Sequence, residues 1–378
     1  MAKFLALTSF GLRDVLEEEI NSLGLKVVGR EATGIFFQSN WEGAYRANLC
    51  LRTATKILLP LLDFPAYKPD ELYNNIRKHD FTKYINPNQT LSIDAHVRES
   101  ALQDQRFVAM KIKDAIVDQF RERCHQQRPN VDRDNPALDV IVRIFKNKVS
   151  VALNTTGRTL SMRGYRQSSV KAPLREHLAA GLIEMTGWNS DSQPLVDPMC
   201  GSGTFLIEAA LKALNIPPGS FKKGFAFQGF KNFQPETWSK VLGECLDKEG
   251  THIPAQIYGM DISGRALGAA KQNGERAGVD DFITFKKGPV ATLEPPPGNT
   301  PGIVIVNPPY GERLGVTEEL KDVYRDLAHS LKQGFRGWKL FVLSGNSELT
   351  GSLRLKSKIR HRVYNGNLDC RFMEYHIR

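Results

Sequence analysis

The chain's chemistry is most legible at Asn307-Pro308-Pro309-Tyr310, which directly follows the apolar run Ile303-Val304-Ile305-Val306. A buried strand with this ending is suited to holding a planar amino group. Pro308 and Pro309 lack N–H donors and have fixed φ angles, so they stiffen the turn and leave backbone carbonyls free to accept. Asn307 adds a side-chain carbonyl, and Tyr310 adds an aromatic face. An exocyclic nucleobase amine offers two N–H donors beside a flat ring, which is the complement of this set. A plain strand-ending turn uses the same Pro-Pro pair, so the surrounding motifs must decide between the two.

A second motif, Asp197-Pro198-Met199-Cys200-Gly201-Ser202-Gly203-Thr204, links an expected strand to an expected helix. Gly201 and Gly203 allow a tight turn and close approach of a ligand to the backbone. The N–H groups at the helix start would then face that ligand. No Walker lysine is present, which argues against an NTP phosphate cradle. Asp197, at the strand end, is placed to meet a cationic or amino group. A third element, the strand Gln256–Met260, ends in Asp261. An acid there can accept from both ribose hydroxyls of a nucleoside cofactor. Asp261 could instead cap the next helix, but Ser263 is the better cap. NAD and S-adenosylmethionine both fit these two motifs. The Asn307–Tyr310 turn supplies an amine receptor and nothing for hydride chemistry, so methyl transfer is the reading.

The elements that must carry these residues alternate regularly after Pro173. Helices are expected at Leu174–Met185, Thr204–Leu214, Arg265–Ala277 and Glu318–Leu331. Strands are expected at Leu195–Asp197, Gln256–Met260, Phe282–Phe285, Ile303–Val306 and Lys339–Leu343. This alternation implies a parallel sheet covered by helices, an α/β Rossmann-like domain over residues 174–378. Residues 215–255, with Pro217-Pro218-Gly219 and a Phe-rich run, read as an insertion into it. Residues 1–155 mix short strands and helices and imply an α+β module. There the stripe Val108, Ile112, Ile116, Phe120 marks a helix. The runs Asp139–Phe145 and Val149–Leu153 form a hairpin whose tip is Lys146-Asn147-Lys148.

The chain of 378 residues is long enough for two or three domains and has a formal net charge of +10. Its pI of about 9.3 favours an anionic partner, most simply nucleic acid. Between Arg143 and Arg175 basic residues recur without one Asp or Glu. Charge runs are usually solvated linkers, but a one-signed run joining two modules also suits a phosphate backbone. Lys146, Lys148, Arg163, Arg166 and Lys171 are therefore candidate RNA contacts, and residues 156–173 a basic linker. The five cysteines are scattered without a CxxC pair, and the eight histidines show no ligand spacing. Neither a disulfide framework nor a metal is expected. The N-terminus carries no signal-peptide pattern, and no apolar stretch reaches membrane-spanning length, so a cytoplasmic protein without membrane contact is expected.

The segment Asp197–Thr204, Asp261 and the segment Asn307–Arg313 together resemble class I S-adenosylmethionine-dependent amino methyltransferases. Phe4–Leu16, Arg163–Arg166, Lys171–Leu182 and Phe225-Ala226-Phe227 narrow the resemblance to the THUMP-domain methyltransferases. Within them it is nearest the bacterial family that makes N2-methylguanosine in 23S rRNA. The resemblance covers nearly the whole chain. It implies that the N-terminal module is a ferredoxin-like plus THUMP RNA-binding unit, and that the partner is 23S rRNA or a ribosomal assembly intermediate. It further implies that Asn307, Pro308, Pro309 and Tyr310 receive the amine. Asp197, Pro198, Cys200, Gly201, Gly203, Thr204 and Asp261 would hold the cofactor. Some members of the family carry a second fused methyltransferase; a chain ending at Arg378 is expected to carry one activity. One departure stands out. Where many such enzymes place an acid after the third strand to read the adenine, this chain has Lys286-Lys287-Gly288-Pro289. On the residues alone, adenine-N6 methylation of DNA or RNA, guanine-N2 methylation of tRNA, protein glutamine-N5 methylation and an RNA-binding assembly factor with a degenerate methyltransferase domain stay open.

Overall fold

A computed structural model describes residues 1–166, 174–298, 300–309 and 317–378. The first module contains β1 (Ala2–Leu7), α1 (Arg13–Ser22), β2 (Lys26–Glu31), β3 (Gly34–Ser39), α2 (Trp41–Cys50) and β4 (Lys56–Pro65). It continues with α3 (Pro69–Arg77), β5 (Thr90–Arg98), α4 (Gln105–Arg123), β6 (Asn130–Val131), β7 (Leu138–Phe145) and β8 (Lys148–Asn154). All eight strands form one sheet in the order β2-β3-β1-β4-β8-β7-β5-β6. The strand β4 joins its halves. Leu58 faces Leu5 of β1 on one side and Asn154 of β8 on the other. It is a proline-containing strand, and the register slips between Pro60 and Leu62. A bulge is where a sheet accommodates the donor that proline lacks.

The predicted hairpin is present. Lys146 and Asn147 both have positive φ, at 50° and 62°, the backbone of a two-residue turn that matches strand twist. Lys148 already belongs to β8. Asn147 ties the tip down: its side-chain carbonyl accepts from the Ala101 amide at 2.7 Å and its backbone carbonyl from the Ala66 amide at 2.9 Å.

The second module comprises α5 (Glu176–Thr186), β9 (Leu195–Asp197), α6 (Thr204–Ala213), α7 (Pro235–Leu246), β10 (Ile257–Asp261) and α8 (Gly264–Ala277). After these come β11 (Ile283–Lys287), β12 (Ile303–Val306), α9 (Glu318–Gly334), β13 (Lys339–Ser344), α10 (Ser347–Gly351), β14 (Ile359–Asn365) and β15 (Leu368–His376). The sheet order is β11-β10-β9-β12-β13-β15-β14. Strands β11 through β13 are parallel, and β15 and β14 add an antiparallel edge. Buried side chains on both faces form two apolar layers, one around α5 and α6 and one around α9. This explains why β12 reads as an unbroken Ile-Val-Ile-Val run.

Residues 215–255 follow α6 in the chain; their ends (Ile216, Ile253, Ala255) stay with the second module's core, but their middle packs on the N-terminal module. Phe225, Phe227, Phe230, Val241 and Cys245 sit in the same core cluster as Phe4, Tyr45 and Leu153. The Tyr45 and Phe227 rings lie 4.5 Å apart, and Arg46 on α2 pairs with Glu244 on α7 at 2.5 Å. Cys50 Sγ lies 3.3 Å from Cys245 Sγ. What reads in sequence as an interruption of the second module therefore completes the core of the first. Among the described residues, no helix is long and apolar enough to cross a membrane.

Candidate active site

Three parallel strands deliver the site to one rim of the sheet. Central β9 ends in Asp197, its neighbour β10 ends in Asp261, and its other neighbour β12 runs into Asn307. Ligands of open α/β sheets bind at this carboxyl end.

Asp197 is 2% exposed, and its Oδ1 accepts from the Met199 amide at 3.1 Å. Burial pushes its carboxyl well above the usual carboxylate range, and the nearby Asp261 charge adds to the shift. Pro198 is buried beside it. Cys200 is buried, its amide bonds the Met260 carbonyl at 2.9 Å, and burial pushes its thiol well up. It holds the turn against β10 rather than offering a reactive thiolate.

Gly201 and Gly203 have φ of 54° and 82°, a region that favours glycine. A Cβ on Gly203 would also lie 3.1 Å from the Ala270 Cβ, so its absence lets the turn close on α8. The Gly201 amide donates to Asp261 Oδ2 at 2.9 Å, and Asp261 Oδ1 accepts from the Ser263 amide at 2.8 Å. Ser263 caps α8 through the Ala266 amide, as its position suggests. Asp261 is therefore not held aside for a ligand alone, because it also ties the two turns together. An ionised carboxylate has about four acceptor positions, which leaves capacity for ribose hydroxyls.

Just past β12 the Asn307 Oδ1 is buried and has no hydrogen-bond partner among the described residues. Buried polar atoms are nearly always satisfied; Arg52 Nη1, Arg166 Nε and His177 Nδ1 share this state, and of the four only Asn307 Oδ1 lies at the strand rim with Asp197 and Asp261. Pro309 is fixed from behind: its carbonyl accepts from the Tyr324 hydroxyl on α9 at 3.3 Å. Tyr310 and Lys171 lie outside the described residues.

The basic connector is partly interior, which changes two of the sequence candidates. Arg163 has a fully buried side chain. It pairs with Glu208 of α6 at 3.4 Å and donates to the Leu160 carbonyl at 2.7 Å, and the Tyr165 hydroxyl donates to the same carboxylate at 3.0 Å. Arg163 has no surface to offer a phosphate; it is a structural residue. Arg166 is nearly as enclosed. Its Nη2 donates to the Leu174 carbonyl at 2.8 Å and to Thr204 Oγ1 at 2.7 Å, with Glu176 at 3.7 Å. It braces the first residue of α6, just behind the glycine turn, rather than standing in solvent. Lys146 and Lys148 are exposed, as expected.

The structure also brings together cations that the linear charge pattern hides. Lys56, Arg106, Lys113, Arg133, Lys222 and Lys223, with Asp94, Asp134 and Asp139 among them, line a cavity of about 1760 Å³ between strands of the first module and the connector. Lys222 is held at about 8, because burial and the neighbouring Arg158 both disfavour its charge. These residues are spread from position 56 to 223, and only the fold makes them neighbours.

Comparison with known proteins accords with this geometry. An RMKL-like methyltransferase domain matches residues 163–374, a THUMP domain residues 66–154, and an RlmL ferredoxin-like domain residues 3–58. The Synechocystis sp. protein named "Putative RNA methyltransferase slr0064" is 38% identical over 99% of this chain and 96% of its own length. Ribosomal RNA large subunit methyltransferase K/L of Syntrophotalea carbinolica is 36% identical over 99% of this chain. The chain spans about half the length of that relative, 53%. Among solved structures, "SMU.472, a putative methyltransferase complexed with SAH" superposes with a TM-score of 0.90 at 27% identity, covering 100% of this chain and 98% of the other. With a domain match over more than half its length and a relative alike from end to end, the chain belongs to the RMKL-like methyltransferase family.

Proposed function

We propose that this protein transfers a methyl group from S-adenosylmethionine to the exocyclic N2 amine of a guanine in RNA, with 23S rRNA as the substrate. The observation that carries the reading is the unpartnered, buried Asn307 Oδ1 at the rim shared with Asp197 and Asp261. The residues present fit the cofactor. Gly201 and Gly203 present no side chain to fill the approach to the backbone, Asp197 offers a buried carboxylate to an amino group, and Asp261 retains acceptor positions for ribose hydroxyls. When bound, the cofactor supplies an electrophilic methyl on a sulfonium centre.

The chain's own residues then solve an acceptor problem. The guanine N2 lone pair is delocalised into the ring, so the amine is a weak nucleophile. Asn307 Oδ1 accepts one amino hydrogen, and the Pro308 carbonyl is the second acceptor. Together they fix the nitrogen's orientation and favour the positive charge that develops on it. An unsatisfied buried carbonyl costs about 1–3 kcal/mol, and the arriving amine removes that penalty. The target base must leave its stack to reach such a recessed rim.

RNA as substrate is supported by the THUMP match, by relatives named as RNA or rRNA methyltransferases, and by the cation-lined cavity. The test is direct. Purified protein is incubated with methyl-labelled S-adenosylmethionine and, separately, deproteinised 23S rRNA, tRNA and DNA, and the products are digested to nucleosides. Labelled N2-methylguanosine from 23S rRNA is the expected product. N6-methyladenosine would reassign the base, and label from tRNA alone would reassign the RNA. No label from any substrate would overturn the reading.

A further inference from the structure

We propose that the edge strand β14 is a second RNA contact, a track for the phosphate backbone leading away from the amine site. It rests on the reading that the substrate is RNA. From Arg354 to Arg362 the chain carries Arg354, Lys356, Lys358, Arg360, His361 and Arg362 with no acid, and all six are exposed. The stretch leads into β14, the outer strand of the second sheet, which among the described residues pairs only with β15. Lys358 extends the ladder through its amide bond to the Glu374 carbonyl at 2.7 Å. Side chains two apart on a strand share a face. Lys358, Arg360 and Arg362 therefore form a row with a step of about 6.8 Å, comparable to the separation of successive phosphates along one strand. Among the described residues Lys356 and Lys358 have no ion-pair partner and Arg360 reaches only the Ser357 hydroxyl, at 2.7 Å, whereas Arg362 is paired with Asp369 at 2.7 Å, so Lys358 and Arg360 carry the free charge of the row.

The register places this row relative to the amine turn. Val306 of β12 faces Val342 of β13, Val342 faces Met373 of β15, and Met373 faces Arg360 of β14. Arg362 shares its row with Arg371 and Ser344. That row is two residues beyond Val306, level with the Asn307-Pro308 turn. Three strand spacings separate β12 from β14, about 14 Å, a distance that a strand covers in a few nucleotides. At the top of the row Arg362 lies 5.4 Å from the Tyr364 ring and 6.0 Å from the Phe10 ring. Phe10, from the first module, is 43% exposed. A half-exposed aromatic beside cations is a stacking platform as well as a charge. Edge strands also carry lysines simply to block pairing with another chain. That role needs charge but no RNA, and the two explanations separate experimentally.

The experiment measures binding of deproteinised 23S rRNA to wild-type protein and to a Lys358→Gln/Arg360→Gln variant between about 50 and 300 mM salt. Calorimetric S-adenosylmethionine binding serves as the folding control. The variant should bind RNA roughly tenfold more weakly. Its slope of log K against log salt should be shallower by about 1.4–1.8, the loss of two phosphate contacts. Lys358→Glu alone, at an exposed position, repeats the test should the pair disturb the sheet. Wild-type affinity and slope in these variants, with wild-type protein binding RNA, would overturn the track and leave the substrate reading intact. A wild-type protein that bound no RNA would overturn both.

Discussion

At Asn307 a buried amide oxygen has no partner among the described residues, and in the proposed reading the substrate amine supplies one. Asn307→Ala should lower kcat by about 10²–10³-fold, equivalent to about 2.7–4 kcal/mol. Cofactor affinity should change little, and single-turnover methylation with parallel calorimetry separates the two. Asp197 shows the opposite economy. Its buried carboxyl has a folded-state pKa above its unfolded value. Its contribution to stability is thus fully present below the unfolded pKa, about 3.9, and is lost as pH rises through the folded value. At neutral pH the cofactor-free protein bears that cost. Asp197→Asn should therefore raise the melting temperature of the cofactor-free protein at pH 7, flatten its pH dependence, and abolish the further rise that S-adenosylmethionine gives wild type. Both residues were legible in the sequence because prolines and glycines beside them announce special backbone. Arg163 was not: a charge run shows sign and spacing, and says nothing about burial against Glu208.

Elements were legible where one physical signal dominated. The unbroken apolar run of β12 and the strand–Gly–helix of β9 and α6 emerge within a residue or two of their observed bounds. The strand β4 did not, because Pro60 and Pro65 argue locally against a strand that a bulge makes tolerable. Nor did β14, a cationic run to which the sequence reading assigned no element and which only its pairing with β15 defines. The Arg163–Glu208 pair binds the connector to α6 at the level of elements. Arg163→Ala should destabilise the protein by about 3–5 kcal/mol, since it strands a buried carboxylate. Arg163→Met, tested with Glu208→Gln, should cost much less. Chemical denaturation measures both. RNA affinity extrapolated to the folded population should be unchanged, which a phosphate-binding arginine would not allow.

For the molecule as a whole, the sequence reading of residues 1–155 as the N-terminal region and 215–255 as an insertion into the second domain divides one core between two units. The Phe225, Phe227 and Phe230 side chains close that core from the far side of the cofactor strand β9. A fragment of residues 1–155 should expose the Trp41–Tyr45 surface, bind hydrophobic dyes and lack a cooperative melt. Adding residues 215–255 as a separate peptide should restore some order. In the full chain Phe227→Ala should cost about 3–5 kcal/mol, measured by denaturant unfolding. The large cavity belongs to this scale too, because its lysines and arginines are distant in the chain and meet only when the connector and the 221–229 segment pack on the first module.

The same stitching has a consequence on the ribosome that makes the protein. Chains emerge N-terminus first, at about 5–20 residues per second. The first module's last strand ends at Asn154, but its core is not complete until Cys245 has followed. For the seconds that this takes, an aromatic surface built around Tyr45 stays open on the nascent chain. The first module is thus synthesised before the segment that seals its core. A chaperone or the tunnel exit itself has that interval in which to act.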